Sequence, residues 1–118
     1  MNTAAMVKDI FNSIDTKNTQ DFIGFMTEDC VFQFGNAPAI KGKSEIEKNI
    51  DVFFGSIEGI SHSLIESWQT ENSLICHGSV TYTRLDKSKL TVPFANILYL
   101  KDGLISQYLI YVNNSELY

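Results

Sequence analysis

The stretch Thr91–Asn113, TVPFANILYLKDGLISQYLIYVN, reads as two long strands joined at Lys101-Asp102-Gly103. Its even positions Val92, Phe94, Leu98 and Leu100 form one apolar row at the two-residue period of a strand, and Gly after Asp supplies a hairpin turn. One polar residue, Asn96, interrupts that row. A buried carboxamide left unpaired costs about 1–3 kcal/mol, so Asn96 calls for a structural partner or a ligand.

Upstream, the same alternation continues back to Ile60, with turns near Glu71-Asn72 and Asp86-Lys87-Ser88, which predicts a four-stranded antiparallel meander. Before Ile60 the period is helical. Met6/Val7, Ile10/Phe11 and Ile14 predict a first helix over Ala4–Ile14. Asn18 is placed to cap a short second helix, with Asp21 at its third position and Phe22, Phe25 and Met26 as its buried stripe. Cys30–Phe34 reads as a strand ended by Gly35-Asn36-Ala37-Pro38, and Ser44-Glu45-Ile46-Glu47 as a capping box opening a third helix through Ile57. Helices first and an antiparallel sheet afterwards give an α+β domain, with three N-terminal helices packed on one face of a curved antiparallel sheet. Ile65, Ile97, Tyr99 and Leu109 alternate outward, so the opposite face needs a cover, and a second copy of the chain is the simplest one.

The bulk numbers fit one domain over residues 1–118, with 44% apolar and 19% charged residues. A net charge of −5 repels phosphate backbones and anionic membranes, so neither nucleic acid nor membrane is an expected partner. Met1–Phe11 has no basic start and no apolar run, which points away from a secretory signal and toward a cytoplasmic address. Cys30 and Cys76 are isolated in apolar surroundings, and His62 and His77 have no carboxylate or thiol at ligand spacing, so no metal and no cofactor is expected.

Several stretches together resemble the SnoaL-like branch of the nuclear transport factor 2-like superfamily. They are Thr27-Glu28-Asp29-Cys30-Val31-Phe32, Ile40-Lys41-Gly42-Lys43-Ser44-Glu45-Ile46, Val92-Pro93-Phe94-Ala95-Asn96, Leu100-Lys101-Asp102-Gly103-Leu104-Ile105 and Tyr108-Leu109-Ile110-Tyr111-Val112-Asn113. The resemblance covers essentially the whole chain and implies a cone-shaped half-barrel, usually a homodimer, with an apolar pocket between helices and sheet. Relatives include ketosteroid isomerases, limonene epoxide hydrolases, polyketide cyclases and noncatalytic binding or assembly domains, so fold alone does not select the function. Carried across by position, the isomerase base falls on Phe34, its oxyanion Tyr on Ile10 and its second Asp on Asn96. The epoxide hydrolase Arg and two Asp fall near Ser79, Thr81 and Ile110, and its water-positioning pair near Phe32 and Phe34. Neither catalytic set is retained, and Asn113 stands where many relatives carry Asp.

Strand pairing suggests a different constellation. A two-residue turn at Glu71-Asn72 places Glu66 opposite His77, and a Leu85–Ser88 loop closed by Arg84 and Lys89 places His77 opposite Asn96. A three-residue Lys101-Asp102-Gly103 turn places Asn96 opposite Tyr108. The expected result is a catalytic row, Glu66, His77, Asn96 and Tyr108, across the concave sheet face, with His62 and Trp68 on Glu66's face. A carboxylate-oriented His suits a general base, with Asn96 and Tyr108 as donors to an oxyanion. The expected ligand-facing set is Ile10, Phe32, Phe34, His62, Trp68, Phe94 and Ile110.

Apolarity alone would turn Leu74, Cys76, Val80 and Tyr82 inward and His77 outward; the epoxide hydrolase comparison argues for the reverse register. Constellations without a motif are more often structural, so the alternative is that the four polar groups satisfy one another as a buried network, with His62 a hydrogen-bonded core histidine and Trp68 a pocket wall or an interface residue. The reading is therefore a dimeric protein that binds a small hydrophobic, carbonyl-bearing molecule, with isomerase, cyclase or lyase activity through a His base. A noncatalytic binding or assembly module is the alternative.

Overall fold

The computed structural model describes residues 3–118. Three helices precede the long strands: α1 (Thr3–Asp15), α2 (Thr19–Gly24) and α3 (Lys43–Gly55). Six strands, β1 (Met26–Phe34), β2 (Ile40–Lys41), β3 (Gly59–Gln69), β4 (Ser73–Thr83), β5 (Lys89–Lys101) and β6 (Leu104–Val112), form one sheet in the order β2-β1-β6-β5-β4-β3. The sheet is curved and unclosed, and the helices lie on its concave side. The expected α+β fold is therefore present, including the antiparallel meander β3–β6. Met1 and Asn2, part of the stretch read as non-secretory, lie outside the described residues.

Local chemistry explains most of these elements. Asn18 caps α2 as expected, its Oδ1 accepting the Asp21 amide at 3.1 Å. The capping box at Ser44 does not form. Gly42, at φ 98°, is the N-cap of α3 and donates its N–H to the Cys30 carbonyl, so the helix is already under way at Lys43 and Ser44 sits inside the first turn. β1 starts at Met26, earlier than expected, and runs parallel to β6, a pairing between distant segments that leaves no local signature in the sequence.

Register decides which residues face the concave side. The β3–β4 turn matches expectation, and Glu66 lies opposite His77. The β4–β5 connection is one residue shorter than expected: Arg84 N–H bonds the Ser88 carbonyl, Lys87 takes a left-handed φ of 76°, and Thr83 faces Lys89. That single step pairs His77 with Ala95 and Cys76 with Asn96. A one-residue slip turns every side chain over, so His77 faces the convex side. The β5–β6 hairpin turns on two left-handed residues, Asp102 and Gly103, and a register shift follows between Tyr99 and Leu100. Asn96 therefore faces Ile110, and Tyr108 faces Leu98. This correction is two residues, an even number, so Asn96 and Tyr108 still share the concave face.

A further irregularity, between Leu64 and Glu66, lets β3 change faces. Ile60 and His62 point to the concave side, whereas Glu66 and Trp68 pair with His77 and Ile75 and point to the convex side. The core fills the cone with Phe22, Phe32, Phe54, Phe94 and Tyr108 among aliphatic residues of α1, α3 and the meander.

Candidate functional site

Five of the expected ligand-facing residues, Phe32, Phe34, His62, Phe94 and Ile110, do line one cavity on the concave face, with Asn96 and Tyr108. Ile10 is buried in the core and is not part of that lining. Trp68 is half exposed on the convex face, where its ring stacks on His77 at 5.6 Å and 7°. The expected row of Glu66, His77, Asn96 and Tyr108 is not assembled: its first two members are on the opposite side of the sheet from its last two. His77 is thereby removed as the base of this cavity.

A different histidine is held by a carboxylate. Asp15, the last residue of α1, accepts the His62 backbone N–H through Oδ2 at 3.1 Å, and its Oδ1 lies 2.6 Å from His62 Nδ1. A carboxylate accepts, so Nδ1 carries the hydrogen and Nε2 is the acceptor of the neutral ring. The imidazole is further fixed between Phe11, at 4.6 Å, and Phe94, at 5.2 Å in edge-to-face contact. His62 lines both the concave cavity and a surface cleft with Lys8, Asn12 and Asp15. The sequence reading missed Asp15. Its signal was the four-residue spacing from Phe11, which puts the carboxylate on the α1 face that meets β3.

Asn96 is 2% exposed, and its Nδ2 donates to the Tyr108 hydroxyl at 3.5 Å, while its Oδ1 has no partner. An unpaired buried carbonyl costs about 1–3 kcal/mol, which is why this atom marks a site rather than packing. Burial holds Tyr108 well above the ordinary 10, so its hydroxyl stays a neutral donor. Phe22 and Phe32 pack on its ring, each with centroids 5.5 Å away. The cavity itself is about 40 Å³. That is room for a water or the polar end of a ligand, well short of the roughly 150 Å³ that holds a benzene. Half-buried Phe34 and Phe53, in edge-to-face contact at 5.1 Å, line it as well.

The two thiols are inert features of the core. Burial pushes Cys30 and Cys76 up from 9.0 to about 11, helped at Cys30 by Asp29 and partly offset at Cys76 by the Asn96 backbone. The folded state thus keeps protons that the unfolded chain releases above pH 9. This stabilisation is complete below pH 9 and is lost as pH rises toward 11, by roughly 1.4 kcal/mol per pH unit for each thiol. Urea denaturation at pH 8 and pH 10.5 should show a markedly lower midpoint at the higher pH; equal midpoints would contradict the burial of both thiols. Among the described residues no His, Cys, Asp and Glu cluster is arranged to hold a metal ion, and no helix is long and apolar enough to cross a membrane.

Comparison with known proteins agrees with this fold. The profile of the SnoaL-like domain matches residues 7–108. An NTF2-like protein of unknown function from Burkholderia pseudomallei superposes with a TM-score of 0.88 at 11% identity, over 99% of this chain and 95% of that one. A protein described as a candidate polyketide cyclase from Xanthomonas campestris superposes at 0.86 with 12% identity, over 98% and 93%. TerC, co-crystallised with polyporic acid, superposes at 0.83 with 11% identity, over 98% and 94%. At these identities the three structures speak to fold alone. No curated protein matches the sequence.

Proposed function

The chain belongs to the SnoaL-like domain family, and on that premise we propose that it binds a small, largely apolar molecule in the cone and moves a proton on it, with His62 as the base. The observation that carries this reading is the Asp15–His62 pair at 2.6 Å, set at the wall of a cavity whose other polar side chains are Tyr82, Asn96 and Tyr108. His62 Nε2 would take a proton from a carbon next to a carbonyl or enol. Tyr108 and Asn96 would hydrogen-bond the oxygen on which charge develops, a task that gains from the surrounding low dielectric. Polyketide cyclase-like neighbours on the same fold support a reaction of the isomerase or cyclase class. The reaction needs no cofactor, since the base, its orienting carboxylate and the hydrogen-bonding groups all come from the chain.

The active form in this reading is a homodimer. Ile65, Trp68, Tyr99, Leu104 and Tyr111 are exposed apolar residues of strands β3, β5 and β6. Large apolar side chains exposed on three strands are a liability for a lone domain, and a second copy covers them. One observation favours a noncatalytic assembly module instead: the aromatic side chains leave only about 40 Å³ of cavity.

Both readings are separable by one set of measurements. Native mass spectra should give a dimer, and a monomer at micromolar concentration would overturn the assignment of the convex face. Deuterium incorporation next to the carbonyl of small ketones in D₂O, followed by NMR, should be accelerated by the wild-type protein and by His77→Ala. In His62→Ala the acceleration should fall by about 10²-fold or more. A panel on which the wild-type protein accelerates nothing would leave the assembly reading in place of the proton-transfer one.

A further inference from the structure

The strand ends define a mouth to the cone. β1 stops at Phe34, which faces Ile110, and its parallel neighbour β6 ends just beyond, at Val112. Antiparallel pairing brings the end of β4, at Thr83, beside the starts of β3 and β5, Gly59 and Lys89. α3 ends at Gly55, close before Glu58, whose N–H bonds the Thr83 carbonyl. Phe34, Phe53, Tyr82 and Val112 line the cavity at this end.

The segment after β6, residues 113–118, crosses the same end. It first folds on itself: the Ser115 N–H bonds Asn113 Oδ1 at 3.1 Å, and the Leu117 N–H bonds the Asn114 carbonyl at 3.0 Å. That turn delivers Leu117 into the core, where it is 1% exposed, although Glu116 and Tyr118 on either side face solvent. Arg84, just past β4, holds the segment by donating from Nη2 to the Glu116 carbonyl at 2.9 Å and from Nε to the Leu117 carbonyl at 3.2 Å. On the other side, the hydroxyls of Tyr118 and of Ser56, the C-cap of α3, hydrogen-bond at 2.6 Å. Burial, with the neighbouring Tyr118 as a smaller cause, pushes the Tyr82 phenol up to about 12.

We propose that residues 113–118 form a strap across the mouth of the cone, with Leu117 as its plug and Arg84 as its clasp, and that apolar ligands enter when the strap lifts. This rests on the small-molecule reading and accounts for the size of the cavity. With the strap down about 40 Å³ remains, against the roughly 150 Å³ of a site that holds benzene. The strap hangs on one buried apolar side chain and a few hydrogen bonds, whereas β4, β5 and β6 are paired along their lengths. It therefore opens without unfolding the sheet. A ligand that binds only the open state has its affinity reduced by the open fraction, so a looser strap means tighter apparent binding by the same factor.

Native-state hydrogen exchange on the full chain reads the strap, and toluene titration followed by amide chemical shifts reads the entry. In the wild-type protein the Leu117 amide should exchange at least about 100-fold faster than the amides of β5. Arg84→Ala should speed Leu117 exchange by about tenfold or more, well beyond any change in β5, and tighten toluene binding by the same factor. Leu117→Ala, which removes the plug, should also bind toluene at least about tenfold tighter than wild type. Leu117 exchanging no faster than β5 would make the segment part of the cooperative core and overturn the strap. Faster exchange in Arg84→Ala with unchanged toluene affinity would place the entrance elsewhere, overturning the gate and leaving the small-molecule reading intact. Toluene that shifts no cavity residue in wild type or in either folded variant would overturn both.

Discussion

Gly78→Ala should destabilise the protein by about 3 kcal/mol or more, a larger loss than the same change at Gly24, Gly55 or Gly59, where an added Cβ meets nothing closer than 3.8 Å. A Cβ on Gly78 would lie 2.0 Å from the Ser63 carbonyl oxygen and 3.0 Å from Leu64 Cα, both backbone atoms of the adjacent strand. No side-chain rotation relieves such a clash; β3 itself must move. The close approach occurs where Gly78 faces Leu64, immediately before the shift that carries Glu66 and Trp68 to the convex face. The same position thus adjoins the step that separates His62 and Glu66 onto opposite sides of the sheet. Gly55→Ala is the control: nothing lies within 4 Å of its Cβ, and it ends α3, so the substitution should be neutral or stabilising by about 0.5–1 kcal/mol. Urea denaturation of the two variants checks the contrast, and a Gly78→Ala midpoint equal to wild type would mean that the strands are not packed as described.

Asp15→Asn should have the largest effect on the proton-transfer function for the smallest change in shape. Asp15 serves two donors, the His62 backbone N–H and the His62 ring. An amide has one oxygen, so one donor must face an NH₂ group. If the backbone N–H keeps the oxygen, the NH₂ faces Nδ1 and drives the ring to the tautomer protonated on Nε2, which removes the base. The expected cost is about 1–3 kcal/mol of stability and about 10²–10⁴-fold in exchange rate. Glu66→Gln, on the convex face, should change neither. Equal exchange rates for Asp15→Asn and wild type would show that Asp15 does not orient the base.

The hydrophobic period made the helices and the meander legible, and Asn18 disclosed its own cap. Two loops hid the register. At Lys87 a left-handed φ of 76° is taken by a residue whose identity does not announce it, unlike Gly103, and the shorter loop moves β4 by one residue against β5. Near Ile65 nothing in the run Leu64-Ile65-Glu66 signals that β3 changes faces, so His62 and Glu66 read as neighbours on one face. The apolar even positions Leu74, Cys76, Val80 and Tyr82 carried the correct signal for β4, because burial is decided residue by residue on the strand itself. Asn96 was legible as a site for the same reason: a lone amide in an apolar row has to be answered by something. Its Oδ1 remains without a partner inside the protein. For Asp15 the spacing from Phe11 gave only the helix face; its partner lies 47 positions away, and only folding brings the two together.

The chain has two histidines, His62 on the concave side of the sheet and His77 on the convex side. A long-range ¹H–¹⁵N spectrum of the two imidazoles, recorded with and without a cone ligand such as toluene, tests this most directly. The prediction is that His62 appears as the Nδ1-protonated tautomer, with its Nδ1 proton shifted far downfield by the Asp15 carboxylate, and that its signals move on ligand addition while those of His77 stay fixed. Ligand-induced shifts at His77 with His62 unmoved, or an Nε2-protonated His62, would contradict the placement of the base on the concave face.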